Sequence, residues 1–245
     1  MMIESREPSE QRLRSAMGAA RTDLSQQDRW RTALVMALYA GNLEQAKRVV
    51  HAAARDVEPV TVLDEVLAPA MHDIGALWER DHITVADEHL ATFVIQRLLA
   101  EMSSQLKVAE PGSRETVLLA TPTAERHAAG LLMAYDVLSG AGYETICLGV
   151  GVPRAALVAA LARHRPALVG LSATMPFAAE LMETVDAVLE ALPTVQVLLG
   201  GAAAAAAPRH ARVHHVPLLA ELVQTAERAL AGGRPDRATG AAEQP

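Results

Sequence analysis

Residues 116–130 read TVLLATPTAERHAAG: an apolar run from Thr116 to Ala120, a polar loop holding Glu125, Arg126 and His127, then Ala128-Ala129-Gly130 at the head of a helical stretch. A short apolar run that stops at a turn and resumes with helical spacing reads as a strand followed by a helix. The same unit recurs downstream. Thr145 to Leu148, Ala167 to Leu171, Val195 to Leu199 and Val213 to Val216 read as strands, and Ala128 to Ser139, Arg154 to His164, Ala178 to Leu192 and Leu218 to Leu230 read as helices between or after them. This alternation predicts a parallel sheet covered on both faces, in which ligands gather beyond the carboxyl ends of the strands. His127, Ser172 and Gly200 all follow strands in this reading. The run Ala202 to Ala207 is low in complexity, and its place after Gly200-Gly201 favours a short helix or tight loop over a linker.

Upstream the period changes to a helical one. Asp28 to Tyr39, Asn42 to Arg55, Pro59 to Glu79 and Thr84 to Val108 form four helical pieces, broken by Gly41-Asn42, by Glu58-Pro59 and by Thr84, each with a stop or cap chemistry. Four helices with short connections predict an antiparallel bundle. The expected organisation is a mobile or weakly helical leader over residues 1–26, a four-helix bundle over 27–108, a linker over 109–115, a flavodoxin-like (Rossmann-like) domain with a five-stranded parallel sheet over 116–232, and a frayed tail over 233–245.

Bulk properties narrow the function. With 245 residues of which 51% are hydrophobic, the chain can bury two cores. Twenty-nine acidic against 22 basic side chains give a formal charge of −7, which opposes binding to a phosphate backbone unless a basic patch compensates; none is present, so no direct nucleic-acid binding is expected. Cys147 is the only cysteine, which excludes an intramolecular disulfide and suits a reducing cytoplasm. Its place at a predicted strand end reads as a buried core thiol. No apolar stretch has the length of a membrane span, and a soluble protein is expected.

The spacing between the polar loops carries more information than any one of them. Forty-one residues separate Gly130 from Ser172-Ala173-Thr174, and 25 separate Thr174 from Gly200-Gly201. This layout resembles the cobalamin-binding domain family, whose pattern is Asp/Glu-x-His-x-x-Gly, a gap of about this size, Ser-x-Leu/Thr, then Gly-Gly; the second gap is a little shorter than usual. The resemblance implies base-off, His-on binding, with His127 as the lower axial ligand of cobalt and Glu125 or another acceptor on its second ring nitrogen. It further implies that Gly130 lets the helix backbone come close, that Ser172 and Thr174 hydrogen-bond in the slot for the nucleotide tail, and that Gly200 and Gly201 line that slot without side chains. Taken alone, a loop histidine is usually solvated and Ser-x-Thr says nothing; the set gives the signal.

A second motif lies in the bundle. Trp78 is followed after nine residues by Glu88-His89, spanning a helix end, a turn and the next helix start. The arrangement resembles the adenosylcobalamin photoreceptors of the CarH type, and implies that Trp78 packs on the upper axial 5′-deoxyadenosyl group, that Glu88 binds its ribose hydroxyls, and that His89 orders the pocket, the bundle capping the upper axial face. Singly, a tryptophan near a helix end is core, and Glu-His in a first turn serves the helix dipole. Two departures stand out. Glu79 occupies the place where those photoreceptors carry a histidine able to take the upper cobalt site, and the leader is too short for their DNA-binding domain of the MerR type. The reading that follows is a stand-alone, light-responsive cobalamin sensor rather than an enzyme, taking adenosylcobalamin and signalling through a changed homo-oligomer (dimer or tetramer) or a changed contact with a protein partner. The alternative is a corrinoid carrier passing methyl groups between methyltransferases. A second chromophore such as a linear tetrapyrrole is a further option, without an evident covalent attachment point.

Overall fold

The computed structural model describes residue 13, residues 25–103, residue 106, and residues 109–110, 112–175, 178–206 and 209–232. Nearly all of the expected leader and the whole of the expected tail lie outside this set. Within the leader, Leu13 is helical and buried, and Ser25 and Gln26 open the first helix. The chain divides into two compact units, Met1–Leu106 and Lys107–Pro245.

The first unit is helical. Helix α1 (Gln26–Tyr39) starts two residues earlier than its apolar spacing suggests, because Ser25 and Asp28 form a reciprocal capping box. It ends at Gly41, whose φ of 62° lets the chain reverse while Asn42 N–H reaches back to Ala37 O. A Cβ on Gly41 would meet Leu90 side-chain carbon at 2.6 Å, so the turn also packs against the fourth helix. Asn42 then caps α2 (Leu43–Asp56) by accepting from Gln45 N–H.

The third helix, α3, runs over residues 59–79 as Pro59–Val62, a π turn at Leu63–Leu67, and Ala68–Glu79. The π turn sits immediately before Pro69, whose missing N–H and bulky ring cannot fit an unbroken α-helical ladder; one widened turn absorbs both. Helix α4 (Val85–Met102) is capped by a second box, Thr84 with Asp87. It ends at Met102, short of the expected Val108, where Ser103 and Ser104 interrupt the apolar spacing. α1 touches the other three helices and is the centre of the unit, burying Trp30, Leu34, Val35, Ala37 and Leu38. Arg31 fastens it to α3 through a forked pair of hydrogen bonds to Asp73, one of them Nε to Oδ2 at 2.6 Å.

The second unit is a five-stranded parallel sheet in the order β2-β1-β3-β4-β5. Its strands are β1 (Thr116–Ala120), β2 (Glu144–Gly149), β3 (Leu168–Ser172), β4 (Gln196–Gly200) and β5 (Val213–Val216). Helices α5 (Ala129–Gly140), α6 (Arg154–His164), α7 (Ala178–Ala191) and α8 (Leu222–Gly232) alternate with or follow them. The alanine run forms a 3-10 turn at Ala202–Ala206. Leu118, Ala120, Val169, Leu171, Val197 and Leu199 point to one face, against Leu157 and Leu161 of α6 and Leu181, Val185 and Val188 of α7. The alternating partners Val117, Leu119, Leu168 and Leu198 are buried as well, as expected for a parallel sheet covered on both sides. β2 is an edge strand, and this corrects one expectation: Cys147 lies within β2 and is exposed rather than a buried core thiol. Among the described residues, no helix is long and apolar enough to cross a membrane.

The register fixes the edge that matters. Ala120 pairs with Leu171, Leu171 with Leu199, and Ser172 with Gly200, so the loops after β1, β3 and β4 leave the sheet side by side.

Candidate functional site

The loop after β1 is held by one buried hydroxyl. Thr121 Oγ1 donates to Glu125 O at 3.0 Å and accepts from Gly151 N–H at 2.8 Å, tying this loop to the one after β2. Thr121→Val keeps the volume and leaves both backbone groups without this partner. A cost of about 1–3 kcal/mol is expected, and an unchanged midpoint in urea denaturation of the full chain would show that the hydroxyl is not what holds the loop.

Glu125 is 2% exposed and uses both carboxylate oxygens. Oε1 accepts from His127 N–H at 2.8 Å and lies 2.5 Å from His127 Nδ1; Oε2 accepts from Thr174 N–H at 2.6 Å and Met175 N–H at 2.9 Å. Burial by itself pushes this carboxyl up, but the backbone donors of Met175, His127 and Thr174, with the His127 ring, outweigh it and hold Glu125 below the ordinary glutamate range. An ionised carboxylate only accepts, so the Nδ1 that faces it carries a proton and Nε2 is the nitrogen left for another partner. The His127 side chain is 48% exposed, and Nε2 has no partner among the described residues. The outcome is an imidazole with a fixed tautomer that offers one nitrogen outward.

The lowered Glu125 gives an acid-stability prediction. Its contribution is fully present above the pKa of an unfolded glutamate and disappears as pH falls through the lower folded value. Unfolding midpoints followed downward from neutral pH should therefore decline more steeply in the parent than in Glu125→Gln; parallel profiles would remove Glu125 as the source.

Next to this loop stand Ser172 and three glycines. Ser172 ends β3, is 9% exposed, and its hydroxyl has no partner among the described residues. A Cβ on Gly130 would stand 3.1 Å from Ser172 Oγ. Gly201, with φ 91°, is pressed against Ala173: a Cβ there would be 2.3 Å from Ala173 O. Gly200 is less confined, its nearest contact being Val216 O at 3.7 Å. Thr174 contributes its backbone N–H to Glu125 and is half-buried. The structure thus brings Glu125, His127, Gly130, Ser172, Thr174, Gly200 and Gly201 to one edge of the sheet.

The bundle holds the other expected residues. Trp78 is 45% exposed at the end of α3, where Asp81 takes a left-handed φ of 56° and His82 N–H returns to Leu77 O. Trp78 lines a pocket of about 400 Å³ with Tyr39, Asp81, His82, Ile83, Thr84, Val85 and Asp87. Glu88 and His89 are not among its lining residues. They pair with each other, His89 Nδ1 to Glu88 Oε2 at 2.7 Å, while Glu88 Oε1 accepts from Thr92 Oγ1 at 2.7 Å, and the His89 side chain is 75% exposed.

Several contributors escape a reading of the sequence. Thr121, the backbone of Met175, and Glu180, which accepts from Ala124 N–H, all support the histidine loop. Among the described residues, the exposed large hydrophobics of the second unit, Val150, Met175 and Leu218, all follow the carboxyl ends of strands, the end from which the histidine loop also leaves. Thr121, directly after the apolar run of β1, is the one for which the sequence held a signal.

A family described as B12 binding domain matches residues 115–231, and a second of the same description matches residues 30–102. Two curated relatives are HTH-type transcriptional repressors of Myxococcus xanthus. CarH is 35% identical over 189 residues, 76% of this chain and 62% of the relative. CarA is 31% identical over 159 residues, 64% of this chain and 53% of the relative. The chain therefore spans little more than half the length of the curated relatives it matches. Among solved structures, the Methanosarcina barkeri monomethylamine corrinoid protein superposes with a TM-score of 0.64 at 18% identity, covering 80% of this chain and 95% of that one, a likeness of fold.

Proposed function

We propose, from the premise of a cobalamin-binding family that these domain matches support, that the chain is a cobalamin-binding light sensor that signals by changing its oligomeric state or its contact with a protein partner. The residues of the sheet domain fit a corrinoid: an outward Nε2 on a carboxylate-backed imidazole suits a cobalt ligand, and the Ser172 hydroxyl, unpartnered among the described residues, suits a polar tail. His127 would hold the metal, Ser172 and Thr174 would bond a polar tail, and Val150, Met175 and Leu218 would offer apolar surface to the cofactor. When bound as adenosylcobalamin, the group supplies a cobalt–carbon bond that visible light can break.

Trp78 carries the choice of a sensor over a methyl carrier. A large aromatic side chain left 45% exposed beside a pocket of about 400 Å³ suits the packing of a bulky upper group, whereas methyl transfer needs that side open. Glu88 and His89 lie outside the lining of that pocket, paired with each other, and would have to turn to reach an upper group. The match to two transcriptional repressors supports a regulatory role, while the likeness to the corrinoid protein adds fold alone. The test is the absorption spectrum and hydrodynamic size of the full chain with adenosylcobalamin, before and after green light. Both should change. Identical traces, together with turnover in a corrinoid methyl-donor system, would favour the carrier instead.

A further inference from the structure

We propose that the outer face of α4 is a two-fold contact, on which two copies of this chain pair antiparallel about Phe93. The inference goes beyond the cobalamin reading and does not depend on it.

Phe93 is 57% exposed and, unlike the exposed Trp78 and Val85, takes no part in lining the bundle pocket. A single exposed aromatic residue means little; its surroundings give it meaning. The exposed positions within α2 are Glu44, Arg48, Arg55 and Asp56, all charged, as expected of a face turned to water. Along α4 the exposed positions Ala86, His89, Phe93, Gln96 and Ala100 include no aspartate, glutamate, lysine or arginine. They recur in alternating steps of three and four, the spacing at which one helix meshes with another. An aromatic side chain set in a stripe depleted of charge has the composition of a contact core.

The spacing also selects the partner. Ala86 and Ala100 each lie seven residues from Phe93, about 10 Å along the axis. A second copy turned antiparallel about Phe93 therefore sets Ala86 against Ala100 at both ends, and these small side chains let the axes approach to the roughly 8–10 Å of packed helices. Charge agrees with this. His89 and its hydrogen-bonded Glu88 stand four and five residues before Phe93, and in the antiparallel pair they meet Arg97 of the second copy, four residues after it. The carboxylate of Glu88, whose side chain is 25% exposed, supplies the counter-charge, twice per dimer. Arg97 is exposed and makes no ion pair among the described residues, while Glu101, which lies in its field, is held by Lys47 at 2.8 Å. A parallel pair would bring Arg97 against Arg97, so charge favours the antiparallel one.

Sedimentation equilibrium of the full chain in the dark without corrinoid, over roughly 1–500 μM, reads the contact. One helix pair is smaller than a standard interface, and a dimer with Kd on the order of 10–100 μM is expected. Phe93→Ala should weaken it by about tenfold or more. Arg97→Glu, which sets like charges opposite Glu88 twice, should weaken it by about tenfold. Both residues are exposed, so the urea midpoints of the variants should match the parent's. Orientation is read by disulfide formation in a Cys147→Ser background, since Cys147 is exposed. Ala86→Cys protein mixed with Ala100→Cys protein should link about tenfold or more faster than either alone, because like positions stand about 20 Å apart in the antiparallel pair. A parent that stays monomeric, including one that holds a different protein on this face, would overturn the proposal. So would a dimer that neither variant weakens, or faster linking of either cysteine protein with itself.

Discussion

In the His127→Ala variant, hydroxocobalamin added to the full chain should show the spectrum of the free cofactor at neutral pH, and its affinity should fall on the order of 100-fold or more. The fold should survive. The ring is half exposed, and the carboxylate of Glu125 keeps its donors from the backbone of residues 127, 174 and 175, so stability should change by less than about 1 kcal/mol. The substitution removes the ring and with it the Nδ1 contact to Glu125, but it leaves the three backbone donors, so a lost spectrum cannot be attributed to an unfolded loop once the urea midpoints match. A variant that keeps the parent spectrum at full affinity would place the cobalt ligand elsewhere and defeat the assignment of His127.

The second large effect concerns folding. Gly201→Ala places a methyl group 2.3 Å from Ala173 O and 2.7 Å from Ala173 C, at a φ of 91° that an L side chain rarely adopts. The neighbour cannot yield cheaply. Ala173 N–H bonds Gly200 O and Ala173 O accepts from Ala203 N–H, each at 3.0 Å, so moving that peptide breaks the join between β3 and β4. Backbone strain together with the forced shift should cost about 2–5 kcal/mol, a large part of the stability of an ordinary domain. Gly200→Ala is the control. Its nearest contact of 3.7 Å is ordinary, so it should fold nearly as the parent does, with a urea midpoint close to the parent's. If Gly201→Ala proves neutral in denaturation, the close approach to Ala173 is not a feature of the folded chain.

The two glycines show how far the sequence could be read. Gly200 and Gly201 are recognisable as a pair, but their roles separate only in three dimensions, where Gly201 lies in a tight turn against Ala173 and Gly200 has only an ordinary contact with Val216 O. Cys147 illustrates the same limit. Its apolar neighbours suggest a core strand, yet the strand order puts β2 at an edge, and order is not encoded in local spacing. The bundle pocket is a third case: Tyr39 reaches Trp78 from another helix, while Glu88 and His89, adjacent in the motif, turn to each other and to Thr92.

By itself the sequence determined the parts: strands and helices through the period of their apolar residues, helix starts through Asn42 and Thr84, and the histidine loop through a spacing that fixes which residues follow which strands. Those signals are local, since backbone hydrogen bonding and side-chain periodicity act over a few residues. Only the tertiary structure decided the joins. Glu125 meets Thr174 and Met175 because parallel register brings the ends of β1 and β3 side by side, and a contact across 49 residues is set by the pairing of strands rather than by anything written near either partner.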